Sequence, residues 1–405
     1  MKFIHAADLH LDTPFLGLRT APAALWQQIY NATFTAFAKI VDAALAEQVD
    51  FVCLVGDLYD RAERSIQAQL FLQKQLQRLA DAAIPVYLSY GNHDYVSDAA
   101  AELPLPENTH IFPSTGATFT LTTKDGQSVA LSGFSYAQRW VETDMTPQFP
   151  IKTNTDWHIG LLHGSQSGVT SAHAVYAPFT LTELNQKRYD YWALGHIHQH
   201  QLLQEQPPIV YAGNPQGRNP NEAGARGYYL VSQKGAQLQP EFHAVAPIQW
   251  QTCTVSVAGA VRLTTVINAI ERAVAKLKQP EALLLQVNLT AAETLSPALL
   301  QRIESGELLS YLQKQRQQQP WRWIYSLRPQ MTATLNFNQL DQAYWQASAK
   351  KIFTAQNIAQ VAQPLTQPDF LAAALQQADL PATLQAQVLN LLRENKALAG
   401  DSDAD

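Results

Sequence analysis

Five short segments in the first half of the chain carry side chains able to hold metal ions. In order they are "HAADLHLD" with Asp8 and His10, "VGDLYD" with Asp57, "YGNHDY" with Asn92, His93 and Asp94, "LLHGS" with His163, and "LGHIHQH" with His196 and His198. Carboxylates, a carboxamide and imidazoles together suit hard-to-borderline divalent ions such as Mn²⁺, Fe²⁺ or Zn²⁺. No cysteine joins them, which argues against a thiolate zinc site. Any one piece alone is weak, because a strand-end aspartate commonly just caps a helix. Their ordered recurrence carries the signal. In "YWALGHIHQH" the histidines His196, His198 and His200 fall at every second position. Alternate residues of an extended strand share a face. The spacing therefore leaves three options open: one shared ion, two ions, or a polar strand end.

These segments need elements that gather them. Up to about residue 245 short apolar runs alternate with amphipathic helices. "KFIHAAD", "VDFVCLVGD" and "IPVYLSYGNHD" read as strands, while "ALWQQIYNATFTAFAKIVDAALAEQ" and "SIQAQLFLQKQLQRLADAA" read as helices. This is the grammar of a parallel-rich α/β sheet. From about residue 115 the helices thin out, and "TFTLTT", "SVALSGFSY", "WHIGLLHG", "YDYWALGHIH", "IVYAGNP" and "GYYLVSQ" predict a second, β-rich sheet packed on the first. Strand carboxyl ends in open α/β sheets gather into one crevice, so donors from separated segments are expected to meet there.

A break is expected near "EFHAVAPIQW". Residues 250–330 then read as a small α+β module, residues 335–398 as helical, and 399–405 as a solvated acidic tail. The chain has 405 residues, a net charge of −6 and 46% hydrophobic residues. It is not globally a nucleic-acid-binding polycation. Its apolar runs are far short of the roughly 20 residues of a membrane span, and His5, Asp8 and His10 interrupt any signal-peptide core. Cys53 and Cys253 lie in strand-like runs and read as buried free thiols, which suits a reducing cytoplasm.

The ordered motifs D-x-H, G-D, G-N-H-D, H-G and G-H-x-H resemble the calcineurin-like metallophosphoesterases, and within them the SbcD family of DNA exonucleases, YhaO-type branch. The segment "YAGNPQGRNPNEAGARGYYLV" extends the likeness to about residue 240. The resemblance implies a two-sheet αββα sandwich over residues 1–245, a small cap and a helical end. It further implies that Asp8, His10 and His198 hold one ion and Asn92, His163 and His196 the other, with Asp57 bridging. His93 would face the scissile phosphate and Asp94 would orient its imidazole; His200 is left over. Two departures stand out: Ala7 replaces a serine, and Asp60 stands where some relatives carry a second phosphate-facing histidine, so Asp60 is expected to support a ligand instead.

Phosphodiester hydrolysis needs an activated water and neutralisation of the phosphate, and two ions roughly 3.5–4 Å apart supply both. The cofactors expected are two divalent ions, first Mn²⁺, then Fe²⁺, Zn²⁺ or Mg²⁺. The expected activity is that of a DNA exonuclease in repair, partnered with an SbcC-like coiled-coil ATPase. A homodimer is left open, and no membrane partner is expected. The alternative is the same chemistry on a small phosphodiester, nucleotide or phosphoprotein. Between residues 251 and 330 there are nine Lys and Arg against five Glu, an excess of four positive charges that favours a polyanion. In "WRWIYSLR", alternation puts Trp321, Trp323, Tyr325 and Leu327 on one face and Arg322 and Arg328 on the other, as expected DNA contacts. The helical region 335–398 is expected to dock the ATPase.

Overall fold

A computed structural model describes residues 1–15, 18, 21–95, 103–167, 176–277, 282–318, 321–331, 339–362, 380–385 and 387–388. The acidic tail 399–405, His173 and much of 363–398 lie outside the described residues. The strands in chain order are β1 (Lys2–Ala7), β2 (Phe51–Val55), β3 (Val86–Ser89), β4 (Thr109–Ile111), β5 (Ala117–Thr122), β6 (Ser128–Gly133), β7 (Trp157–His163) and β8 (Tyr191–Gly195). They continue as β9 (Gln201–Glu205), β10 (Pro208–Tyr211), β11 (Gly227–Lys234), β12 (Gln237–Ala244), β13 (Ile248–Ser256), β14 (Ala282–Thr290) and β15 (Arg322–Gln330).

The first sheet runs β12-β11-β1-β2-β3-β4 and the second β5-β6-β7-β8-β10-β9. Strands β1 to β4 pair in parallel, as do β6, β7, β8 and β10. Side-chain alternation then sorts the residues into layers. Phe3, Phe51, Cys53, Val55 and Tyr87 of the first sheet pack against Val129, Ile159, Leu161, Tyr191 and Ala193 of the second. The opposite face of the first sheet, with Ile4, Val52, Leu54 and Leu88, is covered by helices α2 (Ala32–Ala46) and α3 (Ile66–Asp81) through Phe37, Ile40, Leu72, Leu76 and Leu79; helix α1 (Ala23–Tyr30) precedes them. Leu162, Trp192 and Leu194 on the outer face of the second sheet meet Phe149, Phe179 and Leu184. This is the expected two-sheet αββα sandwich.

Some expectations are corrected. The single helix anticipated over 24–48 is two, interrupted at Asn31, whose backbone leaves the helical region at φ −89°, ψ 5°. Asparagine's side chain competes for backbone hydrogen bonds, which favours such a junction. "GYYLVSQ" does not extend the second sheet; it pairs antiparallel with β1 in the first, in the register Ile4↔Leu230. Strand β12 pairs antiparallel with β11 at the edge of the first sheet.

The chain forms two compact units: Met1–Cys253 with Arg272–Val287 and Glu307–Leu327, and Thr254–Glu271 with Asn288–Gly306 and Arg328–Asp405. The 250–330 segment is thus shared between them. In the first unit Trp250, Leu284 and Trp323 pack with Leu25 and Ile29 of α1. Among the described residues, no helix is long and apolar enough to cross a membrane. Cys53 and Cys253 are both buried and free.

Candidate metal centre

The parallel registers Ala7↔Val55, Val55↔Ser89 and His163↔Gly195 end neighbouring strands at the same level. The two sheets also meet there, since His163 Nδ1 lies 3.1 Å from the Val55 carbonyl oxygen. The segments that follow β1, β2, β3, β7 and β8 therefore converge. Backbone bonds lace them together: Asp8 N–H to Gly56 (3.1 Å), His10 N–H to Asp57 (2.9 Å) and Gly56 N–H to Ser89 (3.0 Å).

Two groups of donor atoms result. Ligand atoms of Asp8, His10, Asp57 and His198 all lie within 4.8 Å of one another, with the Nε2 atoms of His10 and His198 only 3.2 Å apart. In the other group, Asn92 Oδ1 is 3.1 Å from His163 Nε2 and 3.2 Å from His196 Nδ1. Asp57 stands between them, Oδ2 3.7 Å from His10 Nε2 and Oδ1 3.5 Å from His163 Nε2. Asp8, His10, Asp57 and His163 are essentially inaccessible to solvent.

The chemistry of this set fits divalent cations. The Val55 carbonyl can only accept, so His163 donates to it from Nδ1, and an ion that displaced the Nε2 proton would meet a lone pair pointing inward. Glu222 does the same for His198, its Oε1 2.8 Å from Nδ1 and closer than the competing Arg218 Nη2 at 3.2 Å. Burial opposes a charge on His163, yet the Asp57 and Asp8 carboxylates outweigh it and raise the imidazole pKa to about 9. The carboxylates thus create a field that draws positive charge to this spot.

Holding the set requires unusual backbone. Asp8 (φ 52°), His10 (φ 43°), Asp57 (φ 51°) and His196 (φ 94°) all occupy the left-handed region, at a cost of about 1–3 kcal/mol each. Close packing adds a second demand. A Cβ on Gly91 would collide with Asp57 Oδ1, and one on Gly195 with the Val55 carbonyl oxygen.

The calcineurin-like phosphoesterase family matches residues 1–200. The metallophosphoesterase YhaO of Bacillus subtilis is 38% identical over 333 residues, covering 81% of each chain. The chain belongs to the calcineurin-like metallophosphoesterases. It is a hydrolase of a family whose members use a dinuclear metal site. A more distant relative is the DNA double-strand break repair protein Mre11 of Thermoplasma acidophilum, 23% identical over 57% of this chain and 61% of that protein. Among solved structures, a dimetal phosphatase from Danio rerio aligns over 61% of this chain and 96% of that one at 12% identity, with a TM-score of 0.39.

Within this metallophosphoesterase, sequence reasoning missed a supporting layer. Glu222 also accepts from Asn214 Nδ2 (2.6 Å) and the Arg218 amide (2.7 Å). Arg218 joins it to Asp60 through Nη1 (2.8 Å), and Arg226 donates to the His198 carbonyl. Burial works against charge on Glu222, but Arg218 and His198 outweigh it and keep its carboxyl well below the usual range. The only signal was the polar spacing Asn214, Arg218, Glu222, Arg226 inside a turn-rich segment. Asp60 Oδ1 lies 3.6 Å from His10 Nδ1, an ion-pair distance beyond hydrogen-bonding reach.

Other residues depart from expectation. Asp94 does not orient His93. Its carboxylate accepts from the amides of Asp57, Leu58, Tyr59 and Gly91, and His93 Nδ1 instead lies 2.7 Å from the Asp60 carbonyl. A buried carboxylate beside four N–H groups is satisfied there, and burial, with the Asp57 charge, raises its pKa to about 6. The His196–His200 run is not a strand, because β8 ends at Gly195. A turn, not strand alternation, parts His196 from His198. His200 stacks on Phe242 (3.9 Å). Buried His5 contacts the Tyr191 hydroxyl and the Leu194 carbonyl, and burial lowers its pKa to about 3. Arg322 and Arg328 are half-buried on β15, and fully buried Ile324 shares their side of the strand, so that face is not simply solvated.

Proposed function

We propose that this protein is a DNA exonuclease of DNA repair that hydrolyses phosphodiesters with two divalent ions, first Mn²⁺, and works with an SbcC-like coiled-coil ATPase. The observation that carries the catalytic part is Asp57, whose two oxygens face two separate groups of donors. In this reading Asp8, His10 and His198 hold one ion, Asn92, His163 and His196 the other, and Asp57 spans both. Bound ions would activate water and neutralise the phosphate's charge. His93, with Nδ1 committed to the Asp60 carbonyl, leaves Nε2 to stabilise the phosphate or protonate the leaving oxygen. DNA as substrate is supported by the Mre11 relatives and by the basic excess at 251–330. Arg322 and Arg328 would meet the DNA backbone, and helices Gln339–Ile352 and Ala355–Ala362 would dock the ATPase.

The test is hydrolysis in Mn²⁺ of linear double-stranded DNA, single-stranded DNA and bis(p-nitrophenyl) phosphate, with wild type and Asp57→Ala. Cleavage of DNA that Asp57→Ala abolishes is expected, together with loss of bound metal at both positions. Hydrolysis of the ester alone would reassign the protein to small phosphodiesters. Full metal occupancy in Asp57→Ala would remove the bridging role.

A further inference from the structure

The segment after β6 lies against the metal centre. Ser135 Oγ accepts from the Tyr90 amide (3.0 Å), the Tyr136 amide donates to the Tyr90 carbonyl (3.1 Å), and the Tyr136 hydroxyl donates to the His163 carbonyl (2.9 Å). The wall it forms is thus fastened both to the turn carrying Asn92 and to the strand carrying His163. Further on, the Ala177 amide donates to the Val141 carbonyl (2.6 Å), which ties this segment to Tyr176.

Three rings lead outward from the centre. The Tyr176 ring lies 4.9 Å from the His196 imidazole, and Trp140 stacks on Tyr176 at 5.3 Å and 15°. Tyr176 is buried, but Trp140 remains 49% exposed. Tyr176 covers part of the indole, the Arg139 guanidinium lies over the ring 5.4 Å from its centre, and about half of the side chain remains exposed. Beside this ring is a cleft of about 500 Å³, walled by Phe134, Gln138, Trp140, Glu142, Thr143 and Met145. Its volume falls within the range of small-ligand sites. Its walls combine apolar surface for a flat ring with a carboxamide and a hydroxyl for that ring's polar edge. Glu142 disfavours a phosphate in the cleft itself, whereas a neutral base is not repelled.

We propose that this cleft receives a nucleobase of the DNA substrate, stacked on Trp140, beside the phosphate held at the metal centre. The proposal rests on the nuclease reading and adds a subsite to it. A phosphodiester at the ions must send its sugar and base away from them, and the ring series His196, Tyr176, Trp140 marks a path that ends on a half-exposed indole beside the cleft. Stacking tolerates any base, because each has a π-face.

The test uses short single-stranded oligonucleotides in Mn²⁺, with either normal or abasic residues at both terminal nucleotides. Stacking of one base corresponds to roughly a five- to 150-fold effect. Wild type is expected to cleave the base-bearing oligonucleotide with a kcat/KM higher by that order. Trp140→Ala should erase the difference, and Trp140→Phe should keep most of it; metal content and thermal melting report whether each variant is folded. Equal cleavage of both oligonucleotides by wild type overturns the subsite and leaves the nuclease reading standing. So does a folded Trp140→Ala that discriminates as wild type does. Hydrolysis of bis(p-nitrophenyl) phosphate without cleavage of either oligonucleotide overturns the nuclease reading, and the subsite falls with it.

Discussion

At the scale of residues, the centre depends on side chains that never need to touch an ion. Glu222 fixes the His198 proton on Nδ1, with Oε1 2.8 Å away, and so keeps Nε2 available. Such outer partners typically contribute 10- to 100-fold to metal affinity. Glu222→Ala should weaken Mn²⁺ binding by roughly that factor, and Glu222→Gln, which retains an acceptor, should recover part of it; calorimetric titration measures both. Unchanged affinity in the alanine variant would assign Glu222 to the fold alone. His93 should behave oppositely. His93→Ala should bind both ions as wild type does yet lose about 10²- to 10⁴-fold in rate, the usual scale for an acid or charge stabiliser. Loss of metal in that variant would make His93 a ligand.

At the scale of elements, what matters is how tightly strand ends can be brought together. Gly195 ends β8 where a Cβ would meet the Val55 carbonyl oxygen and the His163 ring. Backbone cannot yield as a flexible side chain does, so overpacking there should cost about 1–3 kcal/mol or more. Gly126, in a turn with φ +79° and nothing within 4 Å of an added Cβ, carries only the left-handed strain of about 1–2 kcal/mol. The expected contrast is that Gly195→Ala lowers both melting temperature and metal content, whereas Gly126→Ala lowers only the melting temperature. Metal analysis beside thermal unfolding reads it directly. Equal metal content in the two variants would show that the strand ends have room to spare.

At the scale of the whole molecule, a chain of net charge −6 must concentrate positive charge locally if it is to act on DNA as proposed. Removing one Lys or Arg that meets a phosphate should reduce the salt slope of DNA binding by about one unit. Reversing Arg322 and Arg328 to Glu is therefore expected to weaken DNA affinity and flatten its salt dependence, as followed by binding titrations across salt concentrations. An unchanged slope would remove β15 as a DNA surface. Because the centre lies within Met1–Cys253, the helices Gln339–Ile352 and Ala355–Ala362 are not part of it. Under the proposed partnership, their removal should abolish co-purification with an SbcC-like ATPase while metal-dependent hydrolysis persists.

The donor motifs, the parallel strands that bear them and the helices over the first sheet were legible in the sequence, because each depends on local spacing: alternation for strands, a 3.6 period for helices, polar residues at strand ends. The strand Gly227–Lys234 was legible too, but not its sheet, since an apolar strand has no local mark of its partner, and only the free edge of β1 decided it. The histidine run read as a strand because alternation looks the same outside one; β8 ends at Gly195, and His196 takes a left-handed backbone, φ 94°, that no strand permits. Asp94 sits beside His93 in sequence, yet four backbone amides from two loops claimed its carboxylate. Glu222, 24 residues beyond His198, was marked only by the polar series Asn214, Arg218, Glu222, Arg226, which does not point to His198 as its partner. Local pattern determined which residues could do chemistry, and packing of distant segments decided which groups each of them faces, because hydrogen bonds between loops form only once the strand ends have met.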